Sequence, residues 1–392
     1  MEGTIRGRKG PPGRVIREAV DAARRLEALG HARPIVLAVH PVTQNPFAAL
    51  LYKRTWDHGI APIPVFRIDD LDELAGLPGM GIRTVLHLHW TNRVLRGVTT
   101  EDAGRAAIAS FLAVIDRFIE GGGRLVWTVH NVLPHDTRWP RLDADLQQAI
   151  VDRASMVHVL AAATADLVAE WFTLPAERVL HVPMPSYRGV YEDIVSRDEA
   201  RNRLELDPDA LVYGTVGAIK PYKGLEDLLD AFDTLIEGNP RPRRLLVAGA
   251  PDAAPETRRL VDRCAAHPFV SIHPRRIDPA EMQLFLRATD VAVLPYEHSL
   301  NSGVLLLALT FGLPVVAPAT GGMGETVSDA VARTYDPNRT GSLVEALRAS
   351  DALIADDAAR AASRDAALTI AADHDPDALS EAFARGLVER LA

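Results

Sequence analysis

Several features that would point to particular classes of protein are scarce in this sequence of 392 residues. It has one cysteine, Cys264, which excludes an internal disulfide framework and fits a reducing compartment, so we expect a cytoplasmic protein. The formal net charge is -9, whereas nucleic-acid-binding proteins usually carry a basic surface, so no nucleic-acid partner is expected. The most apolar run, 303–317, is interrupted by Gly312 and Pro314 and is too short to span a bilayer. Peripheral contact with a membrane surface stays open.

Lysine is also scarce, because arginine supplies nearly all of the 43 basic residues. Only four lysines occur, and two of them, Lys220 and Lys223, lie in one loop bounded by Gly217 and Gly224. A pair of lysines in a sequence that otherwise uses arginine indicates a specific need for positive charge in that loop.

What the sequence does contain, from Pro34 onward, is an alternation of short β-type runs with helix-type segments. Its length suits two domains, and a hydrophobic content of 47% is enough to build their cores. Strands separated by helices predict βαβ units, and therefore parallel sheets with helices on both faces. The runs of the first half are "PIVLAVH", "PIPVFRI", "RTVLHLHW", "RLVWTVHN", "MVHVL" and "RVLHVP", and those of the second are "LVYGTVGAI", "RRLLVAGA", "FVSIHP", "VAVLPY" and "LPVVAP".

The alternation pauses at "PMPSYRGVYEDIVSRDEARNRLELDPDA", a polar, helix-prone segment that marks the domain boundary. The sequence predicts an α/β protein in four parts: a helical extension at 1–33, a doubly wound domain at 34–195, a second one at 196–372, and a C-terminal helix at 373–392. Two such domains in one chain predict a cleft, and ligands bind beyond the carboxyl ends of the strands of such sheets.

The first polar cluster of the second half is "TVGAIKPYKGLEDLLDAF". Its loop carries Gly217, Lys220 and Lys223 between a strand and a helix, where free backbone N–H groups and two lysines suit a diphosphate. A lysine pair in a loop is often only a solvated surface feature, but the position after a central strand favours phosphate binding.

The second polar cluster is "YEHSLNSGV", which joins the apolar run "VAVLP" to an apolar helix. Ser302 and Gly303 start that helix, so their N–H groups could hold a second anion or sugar hydroxyls. Glu297, Ser299 and Asn301 precede them and are expected in the same site. Ordinary capping by Asn or Ser is the alternative, although it does not account for the length of the polar run.

Polar residues also follow the strands of the first half. His87 and His89 alternate along a strand and face the same side, but two histidines without a third ligand do not make a metal site, and none is predicted. His130, His135 and Asp136, in "TVHNVLPHD", suit sugar contacts and proton transfer, and we predict them as the catalytic residues. The alternative for Asp136 is capping of the next helix.

Contacts with an acceptor are expected from residues near the ends of the first-half strands. Among them Trp90 could stack on a sugar or a lipid-linked molecule. The predicted acceptor-side residues are His40, Asn45, His89, Trp90 and Asn131.

The second half resembles the nucleotide-sugar-binding domain of GT-B glycosyltransferases, and most of all those similar to glycosyltransferase family 4. The resemblance rests on "VGAIKPYKG", "LLVAGAP", "ATDVAVLPY" and "SGVLLLALTFGLPVVAPATGGMGE", between about residues 211 and 327. In the first half, "TVHN" resembles a family segment whose histidine reaches the donor sugar.

This resemblance implies the GT-B fold: two Rossmann-like doubly wound domains facing a cleft that holds a nucleotide diphosphate sugar. It implies no metal requirement and no other cofactor, and a last helix that crosses back to the first domain. Lys223 falls on the lysine that holds the donor diphosphate, and His130 falls on the histidine near the sugar.

The sequence also departs from the family pattern. Ala218 stands where an arginine often precedes the lysine, and Lys220 could replace its charge. The two family glutamates, which contact the sugar and the ribose, fall on Ser299 and Leu307. Glu297 could substitute only if its loop is rearranged.

The function favoured by these observations is transfer of a sugar from a nucleotide diphosphate sugar to a hydroxyl of a sugar, lipid-linked or small-molecule acceptor. Two alternatives remain: a GT-B-type nucleotide-sugar epimerase, and a non-catalytic partner that binds sugar nucleotides. The stereochemical outcome is open between retention and inversion, and the loss of both glutamates favours inversion with Asp136, or else His135, as the base.

Overall fold

The computed structural model of the protein describes residues 13–43, 45–135, 137–238, 241–297 and 299–391. The described residues fall into two compact units. The N-terminal unit contains the described residues up to Pro185 together with 376–391, and the C-terminal unit contains those of 186–375.

The N-terminal unit is built on a parallel sheet of six strands whose order is β2-β1-β3-β4-β5-β6. The strands are β1 (Ile35–His40), β2 (Ile60–Pro64), β3 (Arg83–Leu88), β4 (Arg124–Val129), β5 (Met156–Val159) and β6 (Val179–His181). Its helices are α1 (Arg14–Ala28), α2 (Pro46–Leu51), α3 (Glu101–Glu120), α4 (Pro140–Arg153), α5 (Thr164–Val168) and α14 (Pro376–Leu391), with 3₁₀ turns at Thr55–His58, Ile68–Leu74, Pro78–Met80 and Ala176–Arg178.

The strands of this sheet carry nearly continuous apolar runs because helices cover both of its faces. All six residues of β1, for example, are buried. The last helix, α14, belongs to this unit: its Phe383 is fully buried in the same core as Phe47 of α2, and its Ser380 donates a hydrogen bond to the Leu51 carbonyl. Helix α1 packs on β2 with an alanine-rich face that includes Ala19 and Ala22.

The C-terminal unit has a second parallel sheet of six strands, in the order β12-β11-β10-β7-β8-β9. The strands are β7 (Leu211–Val216), β8 (Arg243–Ala248), β9 (Val270–His273), β10 (Val291–Val293), β11 (Val315–Pro318) and β12 (Ala332–Tyr335). Its helices are α6 (Arg197–Arg203), α7 (Leu225–Ile236), α8 (Pro255–Ala266), α9 (Met282–Ala288), α10 (Gly303–Thr310), α11 (Gly321–Thr326), α12 (Ser342–Ser350) and α13 (Asp357–Asp373), with 3₁₀ turns at Pro221–Lys223, Pro279–Glu281 and Asp351–Ile354.

Both sheets contain a point at which the order of the strands reverses. In the N-terminal unit it lies between β1 and β3, and in the C-terminal unit between β7 and β10. Loops that leave the carboxyl ends of such strand pairs diverge and open a crevice, which is where ligands bind in doubly wound sheets. The predicted fold class, two Rossmann-like α/β units, is confirmed.

None of the helices in the described residues combines the length and the apolar character that crossing a bilayer requires.

Candidate functional site

In the C-terminal unit, the loop that follows β7 is shaped by two glycines with positive φ. Gly217 has φ 122° and donates its backbone N–H to the Ala248 carbonyl at 2.9 Å. Gly224 has φ 64°, and a Cβ atom there would lie 1.8 Å from the Pro295 carbonyl oxygen. Only glycine fits such a position, because the conformation is left-handed and the neighbouring backbone leaves no room for a side chain. Gly224 therefore brings this loop against the segment that follows β10.

Lys223 ends the 3₁₀ turn of that loop, and its partners are aromatic. Its Nζ lies 4.0 Å from the ring centroid of Tyr296 and 5.6 Å from that of Tyr222. Burial opposes the charged form of Lys223, but the two tyrosines outweigh it and hold its pKa above the ordinary value. Within the described part of the chain, no carboxylate forms an ion pair with Lys223. Its positive charge is therefore held in place without an anionic partner from the described chain.

In the segment after β10, each of the predicted polar residues makes a different set of contacts. Ser302 caps α10, since its Oγ accepts the backbone N–H of Leu305 at 3.3 Å. Ser299 donates its hydroxyl to the Asn301 carbonyl at 2.8 Å. The amide nitrogen Nδ2 of Asn301 is buried and has no hydrogen-bond partner among the described residues. Capping thus accounts for Ser302 but not for the Asn301 amide, and a buried polar group without a partner calls for an explanation.

Glycines also hold the start of α10 against its surroundings. A Cβ atom at Gly303 would lie 2.4 Å from the Tyr187 hydroxyl, and one at Gly321 would lie 2.8 Å from the Leu300 carbonyl oxygen. Gly321 is the first residue of α11, so the segments after β10 and β11 are in close contact. The backbone at the carboxyl end of the sheet is therefore packed at van der Waals distance around the start of α10.

Two helices that begin at this edge can present N–H groups to an anion. Helix α7 begins after Gly224 and has no side-chain cap, whereas α10 begins after Ser302. The first N–H groups of a helix lack intrahelical partners, and the helix dipole adds positive potential at the same end. Together with Lys223, this edge of the sheet is chemically suited to a phosphate or diphosphate group.

Leu307 and Glu297 have different surroundings. Leu307 is 5% exposed and packs inside the unit, because α10 is apolar on every side. Glu297 is exposed and lines a cavity of about 640 Å³ together with Tyr296, the ring that lies over Lys223. The structure brings Gly217, Lys223, Asn301, Ser302 and Gly303 to the carboxyl end of the sheet.

In the N-terminal unit, a row of hydrogen-bonded rings lies at the ends of β3 and β4. The Tyr52 hydroxyl lies 2.7 Å from His87 Nδ1 and 2.6 Å from His89 Nε2. His89 Nδ1 lies 3.0 Å from His130 Nε2. Trp90 stacks on His130 with ring centroids 4.2 Å apart. The predicted residues His89, Trp90 and His130 are thus brought together, and Tyr52 is the residue that the sequence reasoning missed.

Burial keeps the histidines of this row neutral. It lowers the pKa of His89 to about 3, and it holds the pKa values of His87 and His130 well below the ordinary value. Neighbouring histidines add to each shift, because a second positive charge nearby disfavours protonation. Burial also raises the pKa of the Tyr52 hydroxyl well above its usual range.

The described residues contain no group of three or more His, Cys, Asp or Glu side chains that could hold a metal ion. The strand pattern places His87 and His89 side by side, but none of their ring nitrogens is available to bind a metal. All four of their ring nitrogens are hydrogen-bonded, to Tyr52, Thr128 and His130.

The other predicted residues of the first half have various surroundings. His40 is buried and its Nδ1 bonds the Val65 carbonyl at 3.0 Å, while Asn45 caps α2 by accepting the Phe47 N–H. Asn131 is half-buried directly after His130, and His135 is exposed. Asp136, the predicted base, lies outside the described residues. A cavity of about 360 Å³ is lined by His40, Trp90 and the cations Arg67 and Arg93.

Comparison with known proteins gives the context for these two sites. Residues 210–356 match the family model described as "Glycosyl transferases group 1". This range contains the loop after β7 and the start of α10. It does not include the histidine row.

Two curated relatives show partial similarity. The chain is 32% identical over 243 residues to a GDP-mannose:glycolipid 4-beta-D-mannosyltransferase of Xanthomonas campestris pv. campestris, which covers 60% of this chain and 61% of the relative. It is 36% identical over 142 residues to a D-inositol 3-phosphate glycosyltransferase of Geodermatophilus obscurus, which covers 34% of this chain and 32% of the relative. The chain thus spans less than two thirds of the length of either relative.

Among solved structures, the chain is similar to a sucrose-phosphate synthase from Thermosynechococcus elongatus. The TM-score is 0.68 at 17% identity, over 92% of this chain and 99% of the other. The resemblance predicted from the motifs is confirmed: residues 210–356 match the model of group 1 glycosyl transferases, within a chain that has the GT-B fold.

Proposed function

We propose that the protein is a glycosyltransferase that moves a sugar from a nucleotide diphosphate sugar to a hydroxyl of an acceptor. The observation that carries the proposal is Lys223, a half-buried cation beside the N-terminus of α7 whose described neighbours are aromatic rather than anionic. A positive charge held in this way, at the carboxyl end of the central strand β7, suits the diphosphate of a donor.

The comparisons support the same kind of donor. The matched domain contains Lys223, Asn301 and Ser302, and the name of the Xanthomonas relative gives GDP-mannose as that protein's donor. Metal independence is part of the proposal, because Lys223 and the starts of α7 and α10 supply positive potential to the leaving diphosphate. The proposal assigns a contact with a sugar hydroxyl to His130, and stacking on the acceptor to Trp90.

One observation favours a second candidate, a partner that binds sugar nucleotides without turning them over. Ser299 and Leu307 occupy the two positions where the family resemblance places carboxylates, and Leu307 is buried in the core of the unit. A site that lost both groups could keep its affinity and lose its chemistry. The release of nucleoside diphosphate in the presence of acceptor separates the two candidates, because only the transferase produces it at a rate above slow hydrolysis.

The donor site is tested by calorimetry with a panel of nucleoside diphosphates and the corresponding nucleosides. Lys223→Ala should weaken binding of the preferred diphosphate by about 1.5–3 kcal/mol, or roughly 10- to 150-fold, because a charge-assisted hydrogen bond to phosphate is lost. Binding of the nucleoside should change little, since it lacks the phosphates.

Lys53→Ala is the matched control, since Lys53 forms an exposed ion pair with Asp377 in the N-terminal unit and such pairs contribute little. Equal diphosphate affinities in wild type and Lys223→Ala would remove Lys223 from the site. No binding of any nucleoside diphosphate or nucleotide sugar to the wild-type protein would overturn the proposed function itself.

A further inference from the structure

The row of hydrogen-bonded rings in the N-terminal unit extends beyond His87. Beyond His87 it continues through Thr128, whose Oγ1 lies 2.8 Å from His87 Nε2 and 3.0 Å from His158 Nδ1. His158 Nε2 ends the row 2.9 Å from the Val182 carbonyl oxygen. The complete row runs from the carboxyl end of β4 across the interior of the sheet, and its members in order are His130, His89, Tyr52, His87, Thr128, His158 and the Val182 carbonyl.

Each histidine ring in this row is neutral at neutral pH, so each has one N–H and one bare nitrogen. Burial is the main cause: it lowers the pKa of His158 to about 4 and that of His89 to about 3. The row contains no carboxylate, lysine or arginine. The protons in it must therefore be arranged so that every hydrogen bond has one donor and one acceptor.

The far end of the row decides the direction of all its bonds. A backbone carbonyl can only accept, so His158 carries its proton on Nε2 and leaves Nδ1 bare. Thr128 must then donate its hydroxyl to His158 Nδ1, and its oxygen accepts from His87 Nε2–H. The reverse direction would place the bare Nε2 of His158 against the lone pairs of the Val182 oxygen.

The same reasoning continues to the near end. With its proton on Nε2, His87 has a bare Nδ1 that accepts the Tyr52 hydroxyl proton, and the Tyr52 oxygen accepts from His89 Nε2–H. His89 Nδ1 is then bare and accepts from His130 Nε2–H. One nitrogen remains at the end of the row, Nδ1 of His130, and it has no hydrogen-bond partner among the described residues.

We infer that this row fixes neutral His130 in the tautomer with its proton on Nε2, so that Nδ1 presents a lone pair to a ligand hydroxyl. Tyr52, His87, Thr128 and His158 are then positioning residues that act through His89. The inference deepens the proposed function and rests on it in one respect, namely that the ligand hydroxyl belongs to a sugar.

The packing of His130 supports a fixed orientation of its ring. Trp90 stacks on it with an interplanar angle of 15°, and Phe47 meets it edge-on with ring centroids 5.2 Å apart. The row orients His130 but does not carry a proton away from it, because a backbone carbonyl at the far end cannot take up a proton. His130 is thus a hydrogen-bond acceptor for a hydroxyl, and its lone pair would repel the lone pairs of a phosphate or carboxylate.

The test is the tautomeric state of the four rings, read from long-range ¹H–¹⁵N correlation spectra of ¹⁵N-histidine-labelled protein at neutral pH. Single His→Asn variants assign the signals. In the wild-type protein all four rings should carry the proton on Nε2. Thr128→Val keeps the shape of the side chain but removes the hydroxyl, so the anchor is lost and His130 should become a mixture of tautomers.

Two variants serve as controls. Thr128→Ser retains the hydroxyl and should keep the wild-type pattern at His130. Thr164→Val removes a different buried hydroxyl of the same unit, one that donates to the Ala161 carbonyl, and should leave the four rings unchanged. Tyr52→Phe interrupts the row between His87 and His89 and provides an independent break if Thr128→Val fails to fold.

Ligand binding adds a readout that the structural role alone would not change. If the two directions become equally populated in Thr128→Val, affinity for the nucleotide sugar should fall about twofold, while affinity for the nucleoside diphosphate stays the same. A proton on Nδ1 of His130 in the wild type, or an unchanged His130 tautomer in both Thr128→Val and Tyr52→Phe, would overturn the inference. The tautomers can be measured without ligand, so a failure of the proposed function would show separately, as absence of nucleotide-sugar binding.

Discussion

Asp290 is a buried carboxylate that holds together the two strands flanking the switch point of the C-terminal unit. Its side chain is 1% exposed, and the residue directly precedes β10 in the chain. Oδ2 lies 2.5 Å from Arg201 and accepts the Val212 N–H of β7 at 2.8 Å, while Oδ1 lies 3.0 Å from Arg360 and 3.2 Å from Arg197. Burial opposes the charge of Asp290, but Arg201 and the other partners outweigh it and hold its pKa below the ordinary value.

We predict that Asp290→Asn lowers the free energy of unfolding by about 3 kcal/mol. Loss of one partner of a buried ion pair generally costs about 3–5 kcal/mol, because the other charge stays buried without compensation. Here Arg201 also donates to four carbonyls, of Asp207, Pro208, Ala288 and Ala210, which should keep the loss near the lower end. The variant keeps the shape of the side chain, so packing is not the cause.

The measurement is urea unfolding followed by far-UV circular dichroism, with Asp193→Asn as the matched control. Asp193 forms a similar pair with Arg287 in the same unit, but its side chain is 40% exposed, and exposed pairs contribute about 0–1 kcal/mol. Equal midpoints and slopes for the two variants would refute the argument that the buried ion pairs of Asp290 stabilise the protein more than an exposed pair does.

Three further predictions concern the same two units. The stability difference between wild type and Asp290→Asn should be complete above the ordinary Asp pKa of 3.8 and should disappear as pH falls through the lower folded-state pKa, because a depressed pKa stabilises the charged native form; a constant difference in acid unfolding curves would contradict this. Gly224→Ala should lower nucleoside diphosphate affinity more than Gly238→Ala, since both have positive φ but only at Gly224 would a Cβ meet backbone, at 1.8 Å; equal calorimetric affinities would argue against the Gly224 contact. Acceptor should quench tryptophan fluorescence more than nucleotide does, because all five tryptophans lie in the first half of the chain and Trp90 stacks on His130; stronger quenching by nucleotide alone would count against this division.

The architecture could be predicted because the pattern of apolar residues that marks each strand or helix lies within that element's own sequence. Eleven of the twelve strands coincide with apolar runs of the sequence, and the helices between them require a parallel sheet. The strand that the sequence reasoning missed is β12, Ala332–Tyr335. It lies at the edge of its sheet and contains Arg333 and Thr334 in four residues, so no apolar run indicates it. β2 begins at Ile60, earlier than "PIPVFRI" indicates, and Ile68 lies in a 3₁₀ turn.

The site was predictable in position but not in its contacts. Polar residues that directly follow strands indicate the ligand edge of a doubly wound sheet, and the structure places Lys223, Ser302, His89 and His130 at the carboxyl ends of their strands. The partners that decide their chemistry come from elsewhere in the chain. Tyr52 follows α2, and no local pattern shows that its hydroxyl lies between two histidines of β3 and its continuation.

For Lys223 as well, the sequence predicts the position but not the contacts. A lysine pair in a glycine-bounded loop predicts positive charge, but not whether carboxylates neutralise it. The aromatic ring of Tyr296 comes from the segment after β10, and its position over Nζ depends on the close approach of Gly224 to Pro295. Contacts of this kind are set by tertiary packing, which a linear pattern does not encode.

The last prediction concerns the stereochemistry of transfer. Ser299 and Leu307 stand at the two positions where the family resemblance places carboxylates, whereas inverting transfer needs only one base on the acceptor side to remove the hydroxyl proton during in-line attack. We therefore expect inversion with Asp136, which lies outside the described residues, as the base. Asp136→Asn should lower turnover by about two to four powers of ten and leave nucleotide binding intact, whereas Asp145→Asn, an exposed position on α4, should change neither. Proton NMR of the fresh product reads the anomeric configuration, and a product that keeps the configuration of the donor would refute the inverting mechanism.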